Sequence, residues 1–360
     1  MFLREIRLFR FLLFVSLLAV SALAAACQVP VFRYALERWS ADQYRYVVLC
    51  DAELTEQQRM LADSLAGPGR TGGAGPGEPT AGGPTAGGPA AAVLRVHRVT
   101  QQSDAFLQDL WRQRKVRAEP LLVCLFPRTA AVETAAPAFT CGLNEAAVRS
   151  VQASPVRTEL TKRLQSGDSA VWLFLESGQA ERDQAALERL ETGLQQQQAR
   201  LKLPTASEME VTEQQLRELK VPLKLSFSVL KVSRSDAAEA FLVSCLLRSE
   251  EDLEQLSEPM AFPVFGRGRV LYALVGDGIA EGTIAAACDF LTGPCSCQVK
   301  EQNPGFDLLL AGDWDHSLGG VLVSDPLPQE TGVGRGTGAP KLLTIPSGRR
   351  TGGKGSVPDR

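Results

Sequence analysis

Pro294-Cys295-Ser296-Cys297 is the stretch of this 360-residue chain best suited to chemistry. Two soft sulfurs one residue apart can bind Cu(I) or zinc as thiolates. A closed zinc site needs about four ligands, so Cys288 or His316 would have to complete it. In an oxidising compartment the same cysteines form disulfides instead, with Cys288 or Cys27 as partners. Free redox thiols are the third reading.

Other constellations are thinner. Asp313-Trp314-Asp315-His316 offers two carboxylates and an imidazole to a divalent ion. His97 and His316 are the only histidines, which limits histidine-based catalysis and zinc chemistry. Gly266-Arg267-Gly268 fits a hairpin turn and Val275-Gly276-Asp277-Gly278 a strand-to-helix turn. Neither follows phosphate-loop spacing, and no serine stands in a nucleophile elbow. The expectation is no catalytic residue and no cofactor. Among the remaining cysteines, Cys124 lies in an apolar run and Cys245 on an apolar helix face, so both are expected in the core. Cys141 stands near a helix start, within reach of a bridge. Cys50 ends a strand, as a buried thiol or a disulfide partner.

The elements that must position these residues alternate between strand and helix. Residues 44–50, 91–99 and 120–126 read as strands, with a weaker one over 135–140. Thr55 with Gln58 forms a capping box, Ser103 caps a helix through about 115, and Asn144 caps one through about Gln165 that Pro155 interrupts. A second pass follows. Residues 169–177 and 224–232 read as strands around a polar helix over 179–201. A helix capped by Ser235, two strands around the turn at 266–269 and a helix over 279–291 complete it. Both passes run β-α-β-α-β-β-α, the order of a thioredoxin-like fold. The predicted architecture is α/β, with tandem thioredoxin-like domains at 44–166 and 167–325. Each is expected to be a mixed four- to five-stranded sheet with helices on both faces. Pro259 or Pro263 stands where this fold places a proline before its hairpin, in either isomer.

The ends and one insert read differently. Arg4, Arg7 and Arg10, the apolar run Phe11–Ala22 and the small-residue exit Leu23–Ala26 make 1–26 a secretory signal. Cys27 directly follows, so lipidation there would anchor the protein to a membrane. Pro30 then opens a short helix with Phe32, Leu36 and Trp39 on one face. Residues 67–90 are a Gly/Pro/Ala tract in which TAGGP occurs twice, expected to be a flexible insert. Residues 326–360 carry six cations against Glu330 and Asp359 and are expected to be a disordered tail.

Cys27-x-Val-Pro-Val-Phe-Arg-Tyr-Ala-Leu-Glu-Arg-Trp and PCSCQVKEQNPG at 294–305 resemble the two motifs of a family of exported bacterial proteins without an assigned activity. The resemblance covers the exported chain apart from its insert and tail. It implies an envelope address and no reaction.

Redox enzymes of the thioredoxin-like fold carry Cys-x-x-Cys between the first strand and first helix, where the helix N-terminus lowers one thiol's pKa. Here those positions hold Cys50-Asp51-Ala52-Glu53 and Glu176-Ser177-Gly178-Gln179. The first lacks a resolving thiol and the second has none. Asp51 and Glu53 also disfavour a thiolate. The net charge of −3 gives no reason to expect nucleic acid. The expected function is a non-catalytic partner-binding or scaffold subunit in the periplasm or cell envelope. Its partner would be an envelope protein or membrane complex. The alternative is a thiol-redox or metal-binding protein using Cys295 and Cys297.

Overall fold

The computed structural model describes residues 28–65, 93–128, 130, 132, 136–294, 300 and 303–323. The signal segment, Cys27, the insert, Cys295, Cys297 and the tail lie outside the described residues.

The chain enters through helix α1 (Val31–Arg38), with Pro30 at its N-cap. The first unit follows as β1 (Arg45–Cys50), α2 (Glu56–Leu65), β2 (Val93–Arg98), α3 (Ala105–Gln113), β3 (Leu121–Leu125), β4 (Phe139–Gly142) and α4 (Glu145–Gln152). Its sheet has the order β2-β1-β3-β4. β1 runs parallel to β2 and antiparallel to β3, and β3 antiparallel to β4. Period-two alternation sorts the side chains. Tyr46 and Val48 face α2 and α4, while Val47 and Leu49 face Leu107, Leu110 and Trp111 of α3. Helices therefore cover both faces.

Helix α5 (Pro155–Gln165) leads into the second unit. Ser154 caps it, with Pro155 in the first turn where no N–H is needed, so the long helix expected from Asn144 divides in two at this point. Then come β5 (Ala170–Glu176), α6 (Ala180–Arg200), α7 (Glu213–Glu218), β6 (Phe227–Ser233), α8 (Ala240–Leu247), β7 (Met260–Phe265), β8 (Arg269–Val270), β9 (Leu274–Val275), α9 (Glu281–Thr292), β10 (Phe306–Asp307) and α10 (Trp314–Leu318). The sheet order is β10-β8-β7-β5-β6, with β9 also on β7. β5 is parallel to β6 and antiparallel to β7, which repeats the directions of the first unit. Trp172 and Phe174 face α6, α9 and α1, and Leu173 and Leu175 face α8.

Six strands replace the four or five expected. The predicted strand over 270–275 is split into β8 and β9. Between the pairs Val264↔Val270 and Ala261↔Leu274 the register shifts by one residue, as a bulge requires. Leu271 donates to the Pro263 carbonyl at 3.0 Å, and Pro263 has no N–H to return. β10 forms the further edge. Two caps differ from expectation: Asp104 rather than Ser103, and Asp236 rather than Ser235, accept the first-turn N–H bonds. No cis peptide bond occurs among the described residues, so neither Pro259 nor Pro263 adopts that isomer.

The two units share one core. A continuous apolar cluster runs from Tyr46, Leu122 and Val148 to Phe241, Leu246 and Phe262. Phe241 on α8 meets Phe139 on β4 edge-to-face, with centroids 5.6 Å apart. Ser244 donates to the Ala138 carbonyl at 2.7 Å. Arg157 of α5 lies over the Phe241 ring and donates to the Leu309, Ser150 and Val151 carbonyls.

Candidate functional site

The end of β5 is where a redox dithiol would stand in this architecture. Asp183, in the first turn of α6, folds back on that loop. One carboxylate oxygen accepts from the Ser177 N–H and hydroxyl, both at 2.7 Å, and the other from the Gly178 N–H at 3.0 Å. Ser177 in turn accepts from the Gln179 N–H at 3.1 Å. Gly178 has φ +86°, which suits glycine in a tight strand-to-helix turn. The carboxylate satisfies the N–H groups of the two loop residues before the helix N-cap, Gln179, whose own side chain makes no cap bond, and so pins the strand-to-helix turn onto the first turn of α6. The Ser177 hydroxyl, the Ser177 and Gly178 N–H groups and the Asp183 carboxylate are thus all engaged in closing the turn.

The matching place in the first unit holds Cys50. Its Sγ lies 3.8 Å from the His97 carbonyl. Burial raises the thiol's pKa, and Asp51 raises it further. The approach to Cys50 is framed by His97, whose ring nitrogen bonds Ser103 at 2.9 Å, and by Arg98, which donates to the Asp51 carbonyl. A thiol in this state is a poor nucleophile, because the thiolate is the reactive form.

The other described thiols are equally quiet. Cys50, Cys124, Cys141, Cys245 and Cys288 carry no disulfide. Cys288 faces the second sheet from α9, and burial pushes its pKa to about 12. Cys245 is pushed to about 12 by burial as well, and Cys124 is raised well above its usual value by burial and then by Cys245. The candidates Cys295, Cys297 and Cys27 lie outside the described residues. Among the described residues no group of three or more His, Cys, Asp and Glu converges on one point. His316 is exposed on α10. Its neighbours are already engaged: Asp313 caps the helix through the His316 N–H at 3.1 Å, and Asp315 pairs with Arg267 at 2.9 Å.

One charged cluster escaped sequence reading. Asp307, 3% exposed, accepts from Lys300 at 2.5 Å and from Arg269 at 3.2 Å. Lys300 also reaches Asp42 at 2.8 Å and the Ser40 carbonyl at 2.5 Å. Arg269 further donates to the Asn303 and Pro304 carbonyls, and Tyr44 to the Asp307 carbonyl. Buried charges persist only when paired and hydrogen-bonded, and here two cations meet two carboxylates. The cluster stitches the segment after α1, the β8 strand and the 300–307 segment. Members this far apart in sequence leave no spacing to recognise.

A second buried pair holds α1. Arg33 and Glu37 bond at 2.5 Å, and Glu37 also accepts from the Leu322 and Val323 N–H groups. Nearly all of α1 is buried, beyond the single face expected from Phe32, Leu36 and Trp39. Pro30 bridges Pro294, and Val31 donates to the Gly293 carbonyl at 3.0 Å. The described residues Pro30 and Pro294, one from each motif, thus meet at one end of the second unit. No helix among the described residues is long and apolar enough to cross a membrane. Comparison with protein-family models, curated proteins and solved structures finds no match to this chain.

Proposed function

We propose that the chain is an exported, membrane-associated envelope protein that works as a non-catalytic scaffold or partner-binding subunit. One observation carries this reading: the loop after β5 is closed by Asp183 instead of carrying a dithiol. The raised thiol pKa of Cys50, at the end of the matching strand β1, supports it. Two α/β units with a common core make a rigid body suited to presenting surfaces, because loops and edges on a fixed scaffold keep their geometry. The export signal, the lipidation candidate Cys27 and the family resemblance supply the address.

Sedimentation of detergent-solubilised membranes tests this. The full-length chain, and a Cys295→Ser/Cys297→Ser variant, should both sediment within an assembly larger than a single chain. A chain that sediments alone, and that reduces a disulfide substrate or holds stoichiometric metal until those two cysteines are replaced, would establish the thiol or metal reading instead.

A further inference from the structure

At the other three outer sheet edges, side chains of the protein itself engage some of the backbone groups. On β6, Arg163 donates to the Val229 carbonyl at 3.0 Å and Gln198 accepts from the Phe227 N–H at 3.0 Å. On β10, Tyr44 donates to the Asp307 carbonyl at 2.8 Å. Beside β4, Ser244 and Arg248 of the α8 region bond the Ala138 and Pro137 carbonyls.

β2 differs. Val99 donates to the Cys50 carbonyl at 2.8 Å, which turns the odd-numbered residues of this strand toward β1. Leu94, Val96 and Arg98 therefore direct their N–H and C=O groups outward, and no protein group among the described residues bonds them. Such a row is a template for another strand.

The two faces of this edge have different chemistry. Leu94 and Val96 share the α2 face; Val96 is 53% exposed, and α2 presents Met60 at 68%. Arg95 lies on the opposite face beside Val47, with Arg45 across the sheet from it and Arg128 just past β3. None of Arg45, Arg95, Arg98 and Arg128 forms an ion pair among the described residues, and the Arg45 Nε is buried without a hydrogen-bond partner. Burial, then Arg128 and Arg95, weaken Arg45's hold on its proton. The carboxylates of Asp51 and Glu53 belong to the loop beyond the other end of the strands.

We infer that β2 is a docking edge for an extended peptide that alternates acidic and apolar residues, its acids against Arg95 and, one strand further in, Arg45, and its apolar side chains against Val96 and Met60. Strand addition of this kind draws affinity from main-chain bonds and specificity from alternate side chains. Charge selects the occupant. A second copy pairing antiparallel about Val96 would set Arg95 opposite His97 and on the diagonal from the second Arg95, with no carboxylate to meet either. The tail of this chain carries six cations against two carboxylates, and the 67–90 tract is rich in prolines that lack the ladder N–H. The inference deepens the scaffold reading by naming the chemistry of the partner.

The test uses acetyl-Glu-Val-Glu-Val-Glu-amide, and its Lys-for-Glu counterpart as the probe of opposite charge, against the full exported chain at low salt. The acidic peptide should slow amide exchange at Leu94, Val96 and Arg98 by about tenfold, with the protection fading as salt screens it. An Arg45→Glu/Arg95→Glu variant should reverse the preference to the lysine peptide, which also shows that the variant is folded. Absence of protection, or equal protection by both peptides, overturns the inference. So does protection without any peptide in a chain that sediments as a dimer, which would mark β2 as a self-pairing edge. A membrane assembly that survives the charge reversal, with no peptide binding, removes this edge alone. An absent assembly removes the scaffold reading and leaves the peptide result standing.

Discussion

The Lys300 ammonium sits 2.8 Å from the Asp42 carboxylate, 258 positions apart along the chain. Both belong to a cluster whose other members, Arg269 and Asp307, are almost wholly buried. Removing one member strands its partners in a low dielectric. Lys300→Met should therefore destabilise the fold by about 3–5 kcal/mol, read as a lower urea midpoint with an unchanged slope. A change below about 1 kcal/mol would place the cluster among surface pairs.

Arg157 ties the units together, with its guanidinium spent on three carbonyls and the Ser154 hydroxyl. Arg157→Met leaves those carbonyls unpaired at about 1–3 kcal/mol each in the buried limit. Because the core is continuous, Trp111 in the first unit and Trp172 in the second should report one coincident unfolding transition in wild type. The substitution should lower both reports together. Separate transitions in wild type would show that the units fold independently.

The Asp183 bonds to the loop predict a structural and not a chemical phenotype. Asp183→Ala leaves the Ser177 and Gly178 N–H groups without their acceptor; it should cost about 1–3 kcal/mol and should speed amide exchange at Ser177 and Gly178. Asp183→Asn, which keeps an acceptor, should recover part of the loss. Unchanged exchange at those two amides would remove the turn-closing role.

Alkaline pH should destabilise the protein before it affects any activity. Cys245 and Cys141 are held near 12 by burial, above an unfolded value of 9.0. A folded pKa above the unfolded one contributes stability that is complete below pH 9.0. That contribution shrinks as the unfolded chain ionises and is gone by about pH 12. Buried Tyr44 and Tyr46, both raised well above 10.0, push the same way. Urea midpoints should be flat from about pH 7 to 8.5 and fall above that. Cys245→Ala should lower the plateau and shallow the decline.

Much of the architecture was open to reading because local rules carried it. The Thr55–Gln58 capping box is present in both directions, Asn144 caps α4 through the Ala147 N–H, and the apolar run at 121–125 is a buried central strand. Order and strand direction then follow from alternation with helices. The division of β8 from β9 was hidden, since Pro263 acts across the sheet and not along the chain. The polar sites were hidden for the same reason. Asp183 lies within a helical turn of the loop it closes and was within reach of a local rule. Asp42, Arg269, Lys300 and Asp307 become neighbours only after the second sheet has formed. Cys295 and Cys297, the most conspicuous chemistry in the sequence, lie outside the described residues.

Where the chain leaves its folded body has a mechanical consequence. α1 is buried along its length, and Pro30 is fastened to Pro294. Position 27 is therefore three residues from a fixed point, a maximal reach of about 10 Å. A lipid at Cys27 would act as a short leash. The body would stand against the bilayer with almost no freedom to swing, and the motif-bearing end of the second unit would face the lipid. Partners would have to come to this protein at the surface, because it could not reach out to find them.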